Sequence, residues 1–347
     1  MGDSAIAAGS AHPERAIAGA GAGAPPRRRW LRRIAGTIVA AIALLGAAIG
    51  LLWISPYSFM SIARAAARWH LGIEERSIVV HDHLWPYLEA GPPEAPPVIL
   101  LHGYNTSKDA MMTMSSWLAG EHRTVAPDLP GFGLHDFHAE QAHDGSFYAR
   151  EVLALMDALG IERASLVGTS MGGAIAALVA AEAPERVDRL VLLAPAGLVA
   201  PVENDFMKRA NAGGNPLRLE DEQDFESVMD LVFEKRPPTP YPVRRFFVLE
   251  AQRRLDGTNK IIPAIEPFGR NGLEGRLGAI RAPTLVLWGE RDRVLDPSML
   301  SRFVAEIPDA QGHEIPGAGH VLFSDEPAEV RRRMVPFLAP TGAPNAE

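Results

Sequence analysis

The hydrophobic and polar positions divide the chain into three regimes. Ile34 to Ile54 is a run of 21 residues without a charge. As a helix rising about 1.5 Å per residue it would span roughly 30 Å, the thickness of a hydrocarbon core. Trp30, Trp53 and Tyr57 flank it where interfacial aromatic residues belong. From about residue 76 short apolar runs alternate with helical stretches. Ser77–Val80 and Trp85–Leu88 read as an opening strand pair. Val98–Leu101, Thr124–Ala126, Ala164–Val167, Leu190–Leu193 and Thr284–Leu287 read as strands covered on both faces, and Gly312–Ile315 as a short one. Helical stretches follow at Lys108–Leu118, Ser146–Leu159, Gly172–Ala181, Pro297–Glu306 and Pro327–Leu338. This alternation predicts a mostly parallel sheet with helices on both faces. Residues 196–280 break it with acidic and aromatic helical pieces around the Pro-rich stretch Arg236–Pro242. An insertion of that length predicts a helical cap between two core strands.

The expected organisation is a disordered basic tail over 1–33, a transmembrane anchor over 34–54, a core over 76–195 and 281–338, the cap, and a C-terminal tail over 339–347. Arg27, Arg28, Arg29, Arg32 and Arg33 precede the apolar run, and only Arg64 and Arg68 follow closely. The positive-inside bias puts the N-terminus in the cytoplasm and the main domain on the non-cytoplasmic, periplasmic or outer, side. A cleaved signal peptide is the rival. It would have a shorter apolar region, and no small-residue cleavage site directly follows Ile54. The arginine cluster also resembles, weakly, a twin-arginine export signal.

Composition narrows the chemistry. The net charge of −8 gives no global field favouring nucleic acid. The chain has no cysteine, which excludes disulfides, a thiol nucleophile and Cys-ligated metals. His81-Asp82-His83 is the one tight His/Asp group, and it reads as a polar strand end or turn rather than as a metal site.

Gly168-Thr169-Ser170-Met171-Gly172-Gly173 carries the main chemical signal. A strand runs into it and an alanine-rich helix leaves it, the setting of a nucleophile elbow that projects Ser170 Oγ above the sheet. A flexible glycine turn is the bland alternative. The Met171 N–H would point at a developing oxyanion, and the Tyr104 N–H, after His102-Gly103, is the second expected donor. His102 suits a structural role. Asp292, beyond the strand Thr284–Leu287, is the expected acid, with Asp296 (a helix cap by its place before Pro297) and Glu290 as rivals. His313 and His320 lie downstream of it. His320, in the small-residue loop Gly317–His320, is the expected base, and His313 reads as an outward strand residue.

With Ser170, Asp292 and His320 in that order, the chain from about 76 to 338 resembles the α/β-hydrolase superfamily. Asp128–Gly133 resembles the family's loop after its fourth strand. Gly168–Gly173, Ala194–Leu198 and Trp288–Asp296 are similar to the membrane-anchored monoacylglycerol lipases and to cold-active bacterial triacylglycerol lipases. The resemblance implies hydrolysis of acylglycerol or related esters, with no cofactor or metal. Animal members of that lipase group hold the domain on the cytosolic side, opposite to what the arginines favour here. A serine nucleophile equally fits a carbon–carbon hydrolase of ring-cleavage products or a haloperoxidase-like enzyme. A non-catalytic membrane-tethered binding protein is the reading from another class. In the cap, Phe206, Met207, Phe246 and Phe247 are candidates to shelter an acyl chain, although each is also an ordinary core residue.

Overall fold

The computed structural model describes residues 26–339, and the chain divides after Leu52 into two units. The first is helix α1, Pro26–Ile54, whose last two residues belong to the second unit. Its Trp30–Leu51 stretch has a mean hydropathy of 2.4 and is not buried in protein, so it is long and apolar enough to cross a membrane. A core helix of that composition would be covered. The arginines from Arg28 onward lie on this helix rather than in a tail. Pro26 occupies the first turn, where a missing N–H costs nothing, and arginine is a good helix former. The expected tails outside residues 26–339 lie beyond the described part.

Helix α2, Pro56–Leu71, has no counterpart in the sequence reading. It begins on Pro56 and ends at Gly72, whose left-handed backbone (φ 65°) returns its N–H to the Arg68 and Trp69 carbonyls. The core follows with β1 (Glu74–Val80) and β2 (His83–Ala90), joined by a tight turn in which His81 and Asp82 both have positive φ. His81 and Asp82 thus form the turn, and His83 opens β2.

The remaining strands are β3 (Pro97–Leu101), β4 (Arg123–Pro127), β5 (Ala164–Thr169), β6 (Val187–Leu193), β7 (Thr284–Gly289) and β8 (Ala310–Ile315). They form one sheet in the order β1-β2-β4-β3-β5-β6-β7-β8. The β1–β2 and β2–β4 pairs are antiparallel and every other pair is parallel. The central strands are apolar runs because both faces are covered: Val98 to Leu101 and Leu190 to Leu193 have no exposed surface. Helices α3 (Met112–Leu118) and α11 (Pro327–Leu338) touch each other, and α4 (Gly145–Ala158) packs on α5 (Met171–Glu182). Every residue of α5 from Met171 to Ala180 is buried, so its alanines and glycines are a packing requirement and not a propensity effect. A buried pair braces the edge of this core. Lys108 Nζ lies 2.7 Å from Asp128 Oδ2, and Asp128 Oδ1 accepts the Lys108 N–H at 2.8 Å.

Between β6 and β7 the insertion holds α6 (Asp205–Asn211), α7 (Glu222–Val232) and the long α8 (Tyr241–Asn271), with Pro263 and Pro267 inside it. The Pro-rich stretch is the extended lead into α8. Helix α2 packs on α8, with Tyr57 edge-on to Phe246 at 5.4 Å and the Arg64 guanidinium 4.7 Å above the same ring. Helices α9 (Met299–Glu306) and the short α10 (Leu322–Asp325) complete the core beside β7 and β8.

Candidate active site

Ser170 is the single residue between β5 and α5, and its backbone is strained, with φ 54° and ψ −118°. A non-glycine residue adopts such a conformation only where its surroundings over-determine it. The surroundings here are specific. The Ser170 N–H donates to the Leu193 carbonyl at 3.0 Å, and the Ser170 carbonyl accepts from Ala174 and Ala196. A Cβ on Gly168 would lie 2.3 Å from the Gly172 carbonyl oxygen, and one on Gly172 would lie 2.3 Å from that of Leu101. The turn closes only because both positions are glycine, and it leaves Ser170 partly exposed at the end of the sheet.

Asp292 and His320 sit on neighbouring loops beyond β7 and β8. The loops are zipped together: Arg291 N–H donates to Ala318 O at 2.9 Å, and a Cβ on Gly289 would lie 2.1 Å from Gly319 O. His320 Nδ1 meets Asp292 Oδ2 at 2.8 Å, and both residues are buried. The other carboxylate oxygen, Oδ1, accepts the N–H groups of Val294 (2.8 Å) and Leu295 (3.0 Å). Asp292 is therefore held as an acceptor on every side. Ser170 Oγ makes no hydrogen bond among the described residues.

The rivals have other occupations. Asp296 Oδ1 accepts the Ser298 N–H at 3.0 Å, and Glu290 Oε2 accepts the Gly317 N–H at 2.9 Å. His313 is half-buried on the edge strand β8, opposite Leu287. His102 is fully buried, and desolvation pushes its pKa down. Its Nδ1 bonds the Gly103 carbonyl at 2.8 Å and its Nε2 accepts the Leu129 N–H at 3.0 Å, so it fastens two loops.

The N–H groups of Tyr104 and Met171 have no acceptor among the described residues. That of Met171 is one of the unpaired donors that open a helix. Both residues, with Ser170, line a cavity of about 190 Å³. Its walls are mainly apolar, from Leu198, Phe206, Met207, Ile262, Ile265 and Leu295. Burial raises the pKa of the Tyr104 hydroxyl, which approaches Asn215 without closing a hydrogen bond. Phe246 and Phe247 are not in these walls. Phe246 is buried against α2, and Phe247 stacks on Phe225 at 6.2 Å, so of the four expected residues only Phe206 and Met207 line the cavity.

Asp325 has no place in the sequence reading, because its partners lie far away along the chain. It is buried and accepts the N–H of Gly319 at 2.8 Å, beside His320. It also accepts those of Glu234 (3.1 Å) and Lys235 (2.8 Å), which follow α7. One carboxylate thus ties the His320 loop to the cap insertion.

Comparison with known proteins adds three relationships and a family. Residues 96–327 match the model of the alpha/beta hydrolase fold. A monoacylglycerol lipase of Xenopus laevis is 27% identical over 305 residues, covering 83% of this chain and 88% of the lipase. A 2-hydroxy-6-oxo-6-phenylhexa-2,4-dienoate hydrolase of Comamonas testosteroni is 33% identical, covering 74% and 92%. Among solved structures, a bacterial membrane phospholipase A described as a virulence factor superposes with a TM-score of 0.79 at 32% identity, covering 87% and 97%.

Proposed function

Because the chain belongs to the alpha/beta hydrolase fold family, we propose that it is a membrane-anchored serine hydrolase that cleaves acylglycerol-type carboxylic esters with Ser170, His320 and Asp292. The observation that carries this reading is the strained Ser170 turn opening into an apolar cavity, while a buried carboxylate holds His320 by its Nδ1. His320 takes the Ser170 proton through Nε2, and Ser170 attacks the ester carbonyl. The Tyr104 and Met171 N–H groups receive the oxyanion, worth several kcal/mol in the barrier. The alcohol leaves with the proton from His320, and water activated by the same imidazole releases the acid. The apolar walls suit an acyl chain, and α1 keeps the enzyme at the lipid surface. The arginines before the span favour a catalytic domain on the non-cytoplasmic side.

The Comamonas relative favours a second reading, carbon–carbon bond hydrolysis of a dienoate. A carboxylate substrate needs a cation in the site. Among the lining residues Arg270 is the sole one, and it is paired with Glu266. That pairing favours a neutral ester.

The test is fatty acid release by membranes bearing the full-length protein, from monoacylglycerols and from short- and long-chain triacylglycerols, beside a Ser170→Ala control. Ser170-dependent release, strongest from monoacylglycerol, is expected. No release from any glyceride, with a fluorophosphonate still labelling Ser170, would leave a serine hydrolase and remove the lipase.

A further inference from the structure

The loop between β4 and α4 carries chemistry that the hydrolase reading does not use. It returns over the β1–β2 hairpin and brings His138 and Glu140 to His83, the first residue of β2. One ligand atom from each of the three lies within 4.8 Å of the others. His138 Nδ1 and Glu140 Oε1 are 3.5 Å apart. Two ligands about 2.0 Å from a tetrahedral ion stand about 3.3 Å apart, so this pair is already spaced as ligands are. The His83 and His138 rings approach to 3.9 Å between centres at 40°, a poor stacking angle for two imidazoles.

The loop is held in this conformation from its own side. His143 Nε2 donates to the His138 carbonyl at 3.0 Å, which also accepts the Gln141 N–H at 3.1 Å. His135, whose ring centre is 6.3 Å from that of His138, has a buried Nε2 without a hydrogen-bond partner. Polar atoms left unpaired in a buried place ask for a partner, an ion or a water.

We propose that His83, His138 and Glu140 form a binding site for a zinc-class divalent cation that fastens the β4–α4 loop to the β1–β2 hairpin. Two imidazoles and one carboxylate suit zinc and its neighbours in the first transition row, with water in the fourth position. Magnesium and calcium prefer all-oxygen sets. The role is structural and reaches the cap. Phe137, next to His138, packs so closely on α8 that a Cβ at Gly257 would lie 3.1 Å from its ring, and Lys260 Nζ sits 5.7 Å from the ring centre. An ion at His138 therefore steadies the surface on which the middle of α8 rests.

The experiment is equilibrium dialysis of untagged, chelator-stripped full-length protein in detergent against zinc, with magnesium and calcium in parallel. One zinc per chain is expected, and no site of comparable affinity for the two hard cations. His138→Ala and the milder His83→Asn should each weaken zinc binding at least about tenfold, with unchanged circular dichroism. Zinc should also raise the thermal midpoint of the wild type and not of His83→Asn. Zinc binding that is absent in the wild type, or equal in wild type and His83→Asn, overturns the proposal.

Discussion

Replacing Asp292 by asparagine changes one atom of the site and little of its shape. The surrounding hydrogen bonds determine how the new amide must sit. The N–H groups of Val294 and Leu295, at 2.8 and 3.0 Å, need an acceptor, so the amide oxygen takes the place of Oδ1. Its NH2 group is then directed at His320 Nδ1, where Asp292 Oδ2 stood at 2.8 Å. An amide that donates there forces Nδ1 to accept, and the neutral imidazole carries its proton on Nε2. In that tautomer His320 has no lone pair for the Ser170 proton, and the imidazolium has lost its counter-charge. The corresponding change in a serine protease triad costs about 10⁴ in kcat. A loss of about 10³ to 10⁴ here equals about 4 to 5.5 kcal/mol of barrier, at 1.36 kcal/mol per tenfold. The assay is initial-rate hydrolysis of a p-nitrophenyl ester and of a monoacylglycerol by detergent-solubilised full-length enzyme. KM and the thermal midpoint should stay close to wild type, since no packing atom is lost. A drop in kcat below tenfold, with the fold intact, would show that His320 does not depend on Asp292 and would refute the assignment of both.

Three further expectations rest on other parts of the structure. At Ser170, φ 54° penalises any residue with a Cβ, so Ser170→Gly should be at least as stable to denaturant as Ser170→Ala, cancelling glycine's usual cost of about 0.5–1 kcal/mol, while both variants lose ester turnover. A Cβ on Gly269 meets nothing within 4 Å, and the residue lines the cavity. Gly269→Leu should therefore reduce turnover of long-chain esters more than that of acetate esters without lowering the thermal midpoint, since glycine is a poor helix former. Hydrogen bonds from Arg302 hold the Glu274 carboxyl down at about 2, against an ordinary 4.5. A depressed carboxylate adds stability that is complete above its unfolded value and is lost as pH falls from there through about 2. Solvent screening of this half-exposed pair limits the effect to less than about 1 kcal/mol, and Glu274→Gln should flatten that part of the acid-unfolding curve.

The parts of this molecule that were legible in the sequence are those set by neighbours along the chain. The run Ala164–Val167, the small residues around Ser170 and the alanine-rich stretch after it are one continuous segment, and the structure departs from the expected strand only by extending it to Thr169. The elements flanking Asp292 and His320 were legible for the same reason. What was not legible depends on distant partners. Helix α2 buries no residue fully and mixes arginine with alanine. Its place comes from α8, through Phe246, and from Asp109, which lies 3.2 Å from Arg64. The same long-range contact takes Phe246 away from the cavity. Asp325 could not be distinguished from a solvated cap because its partners Glu234 and Lys235 belong to the cap insertion.

The α2–α8 contact also determines where the second unit can begin. Only Ser55 separates the end of α1 from the start of α2, and α2 belongs to the second unit. A soluble version begun at Ser55 keeps Tyr57 and Arg64 on Phe246. One begun at β1, the first strand, would strip an aromatic face from the cap helix and leave the part-buried Asp109 without its arginines. The junction that keeps α2 whole lies ahead of Pro56. Any segment placed ahead of the second unit, α1 or a substitute, must be joined there.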